Sequence, residues 1–488
     1  MTAPVDLRTQ AWNTVMSASP GPLDLVVEAS RIEGVVPHAL RGGRLLSNGP
    51  GWTHIGGRLA HPFDGHGYVR AFHFETDGSL RLRARFVQTP AYRSEAVAQR
   101  LTHRGLGTNV SDRFYENLFA AREPRNVANT TIVRWNGALL AGWEGGAPYA
   151  VDPDSLETRG EATFDGALAG QATLAHMKHD ASLGRLVTCS LAMGPTTTLT
   201  FREFDATGRL VHTRVARIPG TLFAHDFVLT PHWYVLASNP LTLKWGTLAK
   251  SMLGGATLMD AIASDGRASG ALYVIPRDGD GPCRTVALPD RAFVVHYGHA
   301  FERDGAVLLE ACLFHAFTFG AEFGFQGPRA PLDPHLPDAR TPQKLFRIEV
   351  PAGATRATWQ PLAPHGVDFP RVHPEHEGRE TPVLFGATRA DVRHSDPFDS
   401  VLRVDLQDPS RPPQVWSPGG GAFVGEPVFV PSAERADEGH VLVLVSDGLE
   451  GRTTLAVLDA SKLDAGPVAT VPMPLLPYAF HGTWDRPA

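Results

Sequence analysis

The sequence predicts an all-β fold assembled from many short antiparallel hairpins, and three observations predict it. Glycine (49) and proline (40) are abundant and spread along the 488 residues, which punctuates the chain into short elements. Two-residue turn signals flanked by apolar runs recur along the chain. Helical periodicity is confined to two short stretches. Sandwiches seldom reach this length, and repeated hairpins without helical crossovers fit a β-propeller. The repeats are too divergent for blades to be counted from the residues.

The hairpins follow in order. "AFHFETDGSLRLRARF" turns at Asp77-Gly78, and "TIVRWNGALLAGW" turns at Asn136-Gly137. "TFREFDATGRLVHTRVARI" alternates apolar and polar residues, as a half-buried strand pair does. "HAFERDGAVLLEACLF" turns at Asp304-Gly305, and "HVLVLVSDGLEGRTTLAVLDA" turns near Asp447-Gly448. The helical candidates are "SEAVAQRLTH" and "LAKSMLGGATLMDAIA", the latter from Leu248 to Ala263. No low-complexity block or linker interrupts the chain, so residues 1–488 read as one domain, with 1–31 an N-terminal extension.

A net charge of -6 gives no electrostatic footprint for nucleic acid. Three widely spaced cysteines, Cys189, Cys283 and Cys312, exclude a disulfide framework and a CxxC metal site and fit a reducing compartment. The first residues lack a basic stretch followed by an apolar run, and no apolar stretch of about 20 residues appears. The expectation is a cytoplasmic protein, with peripheral membrane contact left open.

Four histidines sit in apolar, strand-like settings: His176 in "TLAHMKHD", His225 in "LFAHDFVLT", His296 in "FVVHYGHAFE" and His481 in "YAFHGTW". They form no local metal motif, so they meet only if the fold brings distant strands together. A propeller does this, because the innermost strand of each blade faces one axis. A ring of neutral imidazoles favours Fe, Cu, Zn or Ni over Ca or Mg. Ligand histidines also need a partner on the far ring nitrogen, commonly a carboxylate. Glu144 in "GWEGGAPY", Asp368 in "VDFPRV" and Glu426 in "VGEPVFV" sit in buried-looking contexts where an unpaired carboxylate is costly. The alternative is a set of separate core histidines, since the chain has 21 histidines and most must be non-ligands.

From about residue 32 onward these segments resemble the carotenoid cleavage oxygenases, which include stilbene-cleaving relatives and a retinoid isomerase. "HPFDGHGYV" is similar to the family's FDGDG turn, with His66 for Asp. "NVANTTIVRWNGALLAGWEGGAPYAVDPDSLETRG" resembles its NtnV…ALwEgG.Py.lDp.tLeT.G stretch. "AHMKHD" resembles HPKxD with Met177 for Pro, "AHDFVLT" the HDFaiT segment, and "HYGHAFE" the HxxNAyE segment with His299 for Asn. "FHGTW" resembles the terminal FHGxW, and "EGVVPHALRGGRLLSNGPG" the opening segment.

The resemblance implies a seven-bladed β-propeller with a helix-and-loop cap over an axial iron site. It makes His176, His225, His296 and His481 the ligands of one Fe(II) per chain, with O2 as co-substrate. It places Glu144, Asp368 and Glu426 on His225, His296 and His481 respectively, and leaves His176 without a carboxylate. The family has Glu where this chain has Asp368, so that bond is expected to be long, water-bridged or met by a backbone adjustment. His66 and His299 are expected to cause local rearrangement only, and His179 to be a surface or structural histidine rather than an acid or base.

The implied reaction adds both atoms of O2 across a C=C bond of a carotenoid or apocarotenoid and gives two carbonyl products. Relatives that cleave stilbenoids carry Lys immediately before the glutamate matched by Glu144. Here Trp143 stands there, with one N–H donor, no charge and a large apolar face. Polyenes are therefore favoured, with a stilbenoid or phenylpropanoid substrate and a non-catalytic binding propeller as alternatives. The segment 241–263 mixes Leu, Met and Trp with Lys244 and Lys250. It reads either as a packed cap helix or as an apolar patch that dips into a membrane to collect substrate.

Overall fold

The computed structural model describes residues 7–121, 123, 125–264, 270–314, 344–391, 397–432 and 435–486. Most of its regular structure is antiparallel strand in short meanders. Asn136 and Gly137 both take positive φ (45° and 68°), as do Asp304 and Gly305 (52° and 77°). Each pair closes a two-residue hairpin, Trp135 facing Ala138 and Arg303 facing Ala306. This mirror-image turn matches the right-handed strand twist, and asparagine, aspartate and glycine tolerate it best. The other two Asp-Gly sites lie in longer loops, between Phe74 and Leu80 and between Asp447 and Arg452.

The first sheet runs Leu23–Val27, Leu80–Phe86, His66–Phe74, Arg44–Ser47 and, at its edge, the C-terminal strand Gly482–Asp485. Three four-stranded sheets follow, spanning Thr131–Trp135 to Thr158–Glu161, Lys178–Asp180 to Leu210–Pro219, and Val228–Leu229 to Arg284–Ala287. A seven-stranded path then leads from Phe293–Arg303 to Gln414–Trp416. Its fourth strand, Thr358–Arg371, is 14 residues long and pairs with Lys344–Val350 along one part and Val383–Thr388 along another. The last sheet joins Phe423–Val424, Gly439–Asp447, Arg452–Asp459 and Pro467–Pro474 to the N-terminal Glu33–Gly34.

Successive sheets pack face to face. Val69 and Ala71 of the first meet Ile132 and Leu139 of the second. Leu140 of the second meets Met177 and Leu186 beside and in the third, and Phe201 of the third meets Tyr234 and Ile275 of the fourth. Val274 then meets Leu309 and Ile348, Leu345 meets Leu384 and Leu402, and Phe385 meets Val441 and Ala456. Leu442, Leu455 and Val471 of the last sheet pack on Leu80 and Leu82 of the first. The burial of Leu80–Phe86 alternates residue by residue, as a strand with one face inward requires.

The two helical expectations shift. The first helix spans Pro90–Ala98, capped by the Thr89 side chain, and ends at Gln99, which takes a left-handed conformation. It therefore starts earlier and stops sooner than "SEAVAQRLTH" implied. The second divides into Trp245–Met252 and Leu258–Ala261, because Gly254 (φ 79°) breaks the run, and Ile262 enters a strand. A helix the periodicity did not signal, Leu7–Ser17, buries Trp12 edge-on against Phe423 and Tyr478. Gly448 lets it approach, since a Cβ there would collide with the Ala11 carbonyl.

Candidate metal centre

Each of the four histidines enters the centre from the edge strand of a different sheet. His176 precedes Lys178–Asp180, His225 precedes Val228–Leu229, His296 lies within Phe293–Arg303, and His481 precedes Gly482–Asp485. One nitrogen from each lies within 4.8 Å of the others. Neighbouring rings meet edge to face, with centroids from 4.5 Å (His176–His481) to 5.2 Å (His176–His296) apart. The Nε2 atoms of His176 and His225 are 3.1 Å apart. Among the described residues this is the group able to hold a metal ion.

Three carboxylates fix the rings. Nδ1 of His296 is 2.7 Å from Asp368 Oδ1, Nδ1 of His481 is 2.9 Å from Glu426 Oε1, and Nδ1 of His225 is 3.0 Å from Glu144 Oε2. A carboxylate accepts Nδ1–H, which leaves the Nε2 lone pair free to face the centre. The shorter Asp368 makes a direct contact. Its strand slips register between Asp368 and Arg371, and Phe369 adopts a φ of 51°, so the backbone supplies the reach that the missing methylene does not. Glu426 also accepts the Gly482 amide at 2.7 Å, which fixes the tail where it delivers His481. Asn48 donates its amide to the His481 carbonyl and accepts that of Phe480.

One expectation about these carboxylates needs correction. Asp368 and Glu426 are buried, but the Glu144 side chain is 41% exposed, because it lies in the open turn after Ala138–Gly142. The pair it makes is thus the most solvent-screened of the three. Burial alone would lower the His225 pKa, yet the Glu144 carboxylate outweighs it and raises the value. His176 has no hydrogen-bonded carboxylate, as expected; Asp226 Oδ1 stands 3.9 Å from its Nδ1. Burial, reinforced by the other imidazoles, drives the His176 pKa well below the ordinary value, and burial takes His481 down to about 4.

The residues fit a borderline divalent metal. All four donors are imidazole nitrogens, and Nε2 of His296 is buried with no hydrogen-bond partner. That orphaned acceptor would be unfavourable in a site meant to hold nothing. Around the cluster, Phe369 lies 5.4 Å from the His296 ring and 5.3 Å from the His481 ring, and Phe63 packs on Phe480.

His179 is exposed and leans on Trp135, away from the cluster. His66 and His299 are fully buried, each beside a buried glutamate: His66 Nε2 lies 2.8 Å from Glu95, and His299 Nδ1 lies 2.7 Å from Glu310. Sequence reasoning overlooked Asp226, which the "AHDFVLT" segment carried next to His225.

Comparison with known proteins places the chain. The model of the retinal pigment epithelial membrane protein family matches residues 20–486. The chain is 32% identical to apocarotenoid-15,15'-oxygenase of Synechocystis over 98% of its own length and 96% of that protein's. It is 31% identical to carotenoid cleavage dioxygenase 7 of rice (93% and 87% covered) and 26% identical to isoeugenol monooxygenase of Pseudomonas nitroreducens (93% of each). Cobalt-substituted Synechocystis ACO superposes with a TM-score of 0.89 at 30% identity, covering 98% of this chain and 99% of that one; the shared fold is a propeller. The chain therefore belongs to the carotenoid cleavage oxygenase family, that of the retinal pigment epithelial membrane protein, and is an oxygenase.

Proposed function

We propose that this chain is a non-haem Fe(II) dioxygenase that cleaves a C=C bond of a carotenoid or apocarotenoid into two carbonyl products. The observation that carries the reading is the convergence of His176, His225, His296 and His481 with carboxylates on three of their Nδ1 atoms. One Fe(II) per chain would be held by these four residues and would supply the redox chemistry that lets O2 react with an alkene. The protein's own part is placement. Glu144, Asp368 and Glu426 hold His225, His296 and His481 in the tautomer that faces inward. Burial keeps His176 and His481 neutral, the form able to donate a lone pair. Phe369, Phe63 and Phe480 supply an apolar wall that keeps water from part of the centre.

In this reading residues 1–488 form a single domain and the packed sheets are seven blades, the seven-stranded path counting as two that share Thr358–Arg371. The helices Pro90–Ala98, Phe114–Leu118 and Trp245–Met252 belong to the cap. Trp143 supports a polyene: it offers an apolar face, and its single N–H cannot replace an ammonium beside a phenolate. The second reading, a phenylpropanoid or stilbenoid alkene, is favoured by the likeness to isoeugenol monooxygenase.

Membrane contact is part of the proposal. Trp245, Met252 and Leu253 are 72%, 73% and 63% exposed, and Phe114 and Phe119 beside them are 59% and 84% exposed. Asn117 donates to the Gly254 carbonyl, which joins the two helical segments into one apolar surface with Lys244 and Lys250 on the same segment. Such a surface suits a partner that removes it from water, and a bilayer also dissolves the substrate. No helix among the described residues is long and apolar enough to cross a membrane.

The deciding experiment is product chromatography after the Fe(II)-loaded enzyme is incubated with a panel of apocarotenoids, carotenoids and hydroxystilbenes. Aldehydes or ketones from a polyene are expected. Faster cleavage of a hydroxystilbene than of every polyene would replace the substrate class while leaving the centre intact.

A further inference from the structure

Three of the clustered histidines direct Nδ1 to a carboxylate, and the fourth, His176, does not. Its nearest carboxylate oxygen, Asp226 Oδ1 at 3.9 Å, is beyond hydrogen-bond range. That carboxylate is already committed. Lys178 Nζ lies 2.9 Å from Oδ1 and 3.2 Å from Oδ2. The backbone amide of Phe227 donates to Oδ1 at 2.7 Å, and that of Tyr297 donates to Oδ2 at 3.3 Å. The Asp226 and Lys178 side chains are only 2% and 12% exposed. A buried ion pair of this kind is weak evidence for stability, because desolvation offsets the attraction. Its position suggests another use.

Lys178 lies two residues beyond His176, on the strand His176 introduces. Asp226 follows His225 directly, and Tyr297 follows His296 directly. One carboxylate thus ties together, by charge and by hydrogen bonds, the three chain segments that carry His176, His225 and His296. These segments belong to three different sheets, and no strand-to-strand ladder joins them at this point. The fourth segment is held separately, through the Glu426 contacts to His481 and Gly482.

We propose that Asp226, held by Lys178, is a positioning residue that sets His176, His225 and His296 at their mutual distances. Glu144, Asp368 and Glu426 orient individual rings, whereas Asp226 fixes the backbones that bring three of them together. Lys178 has a second effect: by occupying Asp226 it leaves His176 as the one imidazole of the four without an anionic acceptor on Nδ1. The inference rests on the metal-centre reading above.

The test uses the full chain, stripped of metal and titrated with Fe(II), together with visible absorption of the Co(II)-loaded protein, whose bands report ligand geometry. Wild type is compared with Asp226→Asn, Lys178→Met, Lys178→Arg and the Asp226→Asn/Lys178→Met double variant. Asp226→Asn and Lys178→Met should each weaken Fe(II) binding by about 10-fold or more, the usual size of an outer-sphere effect, and displace the Co(II) bands. Lys178→Arg, which keeps the charge, should restore most of both, and the double variant should be no weaker than the worse single one. The inference is overturned if the single variants bind Fe(II) like wild type with unmoved bands. It is equally overturned if affinity falls only in step with the thermal midpoint of the metal-free protein while the bands stay in place. Should Asp226→Asn not fold, the two Lys178 variants decide on the same criteria. Wild-type protein that binds neither metal sinks the metal-centre reading itself; wild type that binds, with indifferent variants, sinks only this inference.

Discussion

Asp368 reaches His296 at 2.7 Å because the strand bends to bring it there. The cost is local: Phe369 sits at positive φ, which L-residues avoid, and it persists because packing against both His296 and His481 holds it. Asp368→Asn removes the negative partner of Nδ1 and should lower iron affinity or turnover by about 10–100-fold, read by metal titration and initial rates. Asp368→Glu keeps the charge and should be far milder; equal, negligible effects would show that this carboxylate does not orient a ligand. His66 gives a pH prediction clear of the metal. Burial lowers its pKa from the ordinary 6.5 to about 4. The unfolded chain therefore takes up a proton as pH falls below 6.5 while the folded chain waits until about 4, so the unfolded state binds more protons in that window. Stability should fall with falling pH across it. Glu95 acts in the same direction at lower pH: burial would raise its pKa, but His66 and Arg125 hold it at about 2. Thermal midpoints of the metal-free protein should drop between pH 6.5 and 4, and His66→Gln should make the dependence shallower without removing it, since His73 and His376 are lowered to about 4 as well.

At the scale of elements, the C-terminal strand does two jobs. Gly482–Asp485 pairs with Arg44–Ser47 and completes the first sheet, and Asp485 bonds Arg44 at 2.7 Å and Arg134 at 2.8 Å. The residue just before it is His481. Removing the chain from Phe480 onward should therefore abolish iron binding and also lower the thermal midpoint, whereas His481→Ala should remove iron with a much smaller effect on melting. Iron analysis and calorimetry on both proteins would separate the jobs; full iron in either would make His481 a core residue only. The Trp245–Met252 helix makes a different prediction. Among the described residues its Trp245 and Met252 are 72% and 73% exposed, so replacing both with Ser should leave melting unchanged and reduce flotation with lipid vesicles. Unchanged flotation would show that the segment does not serve membrane contact.

For the whole molecule, the sheets pack in sequence until the last meets the first, and the centre lies where four of their edge strands approach one another. Metal removal should thus eliminate activity without unfolding the protein, because the cores between the sheets are built of apolar side chains, which the clustered histidines touch at Phe369. Chelation followed by circular dichroism and metal analysis checks this: one Fe per chain should restore turnover to a protein whose spectrum never changed. Loss of the β signature on chelation would mean that the metal is structural.

Some of this was determined by the sequence alone. Asn136-Gly137 and Asp304-Gly305 specify their turns because few residues accept positive φ, a local property that needs no tertiary context. The ligand candidates and two of the three carboxylate environments were legible for a related reason: a histidine or carboxylate inside an apolar run must find a partner or lose stability. What lay beyond reach was whatever depends on two distant segments meeting. The Leu7–Ser17 helix carries little periodic signal, and it folds because Trp12 finds Phe423 and Tyr478. Leu248–Ala263 read as one helix because periodicity does not register the break at Gly254, which Asn117 secures from another segment. The exposure of Glu144, the bend that lengthens Asp368's reach and the hub formed by Asp226 were decided only in three dimensions. In each case the deciding term is a contact between segments far apart along the chain or a backbone angle set by packing, and neither is a property of neighbouring residues.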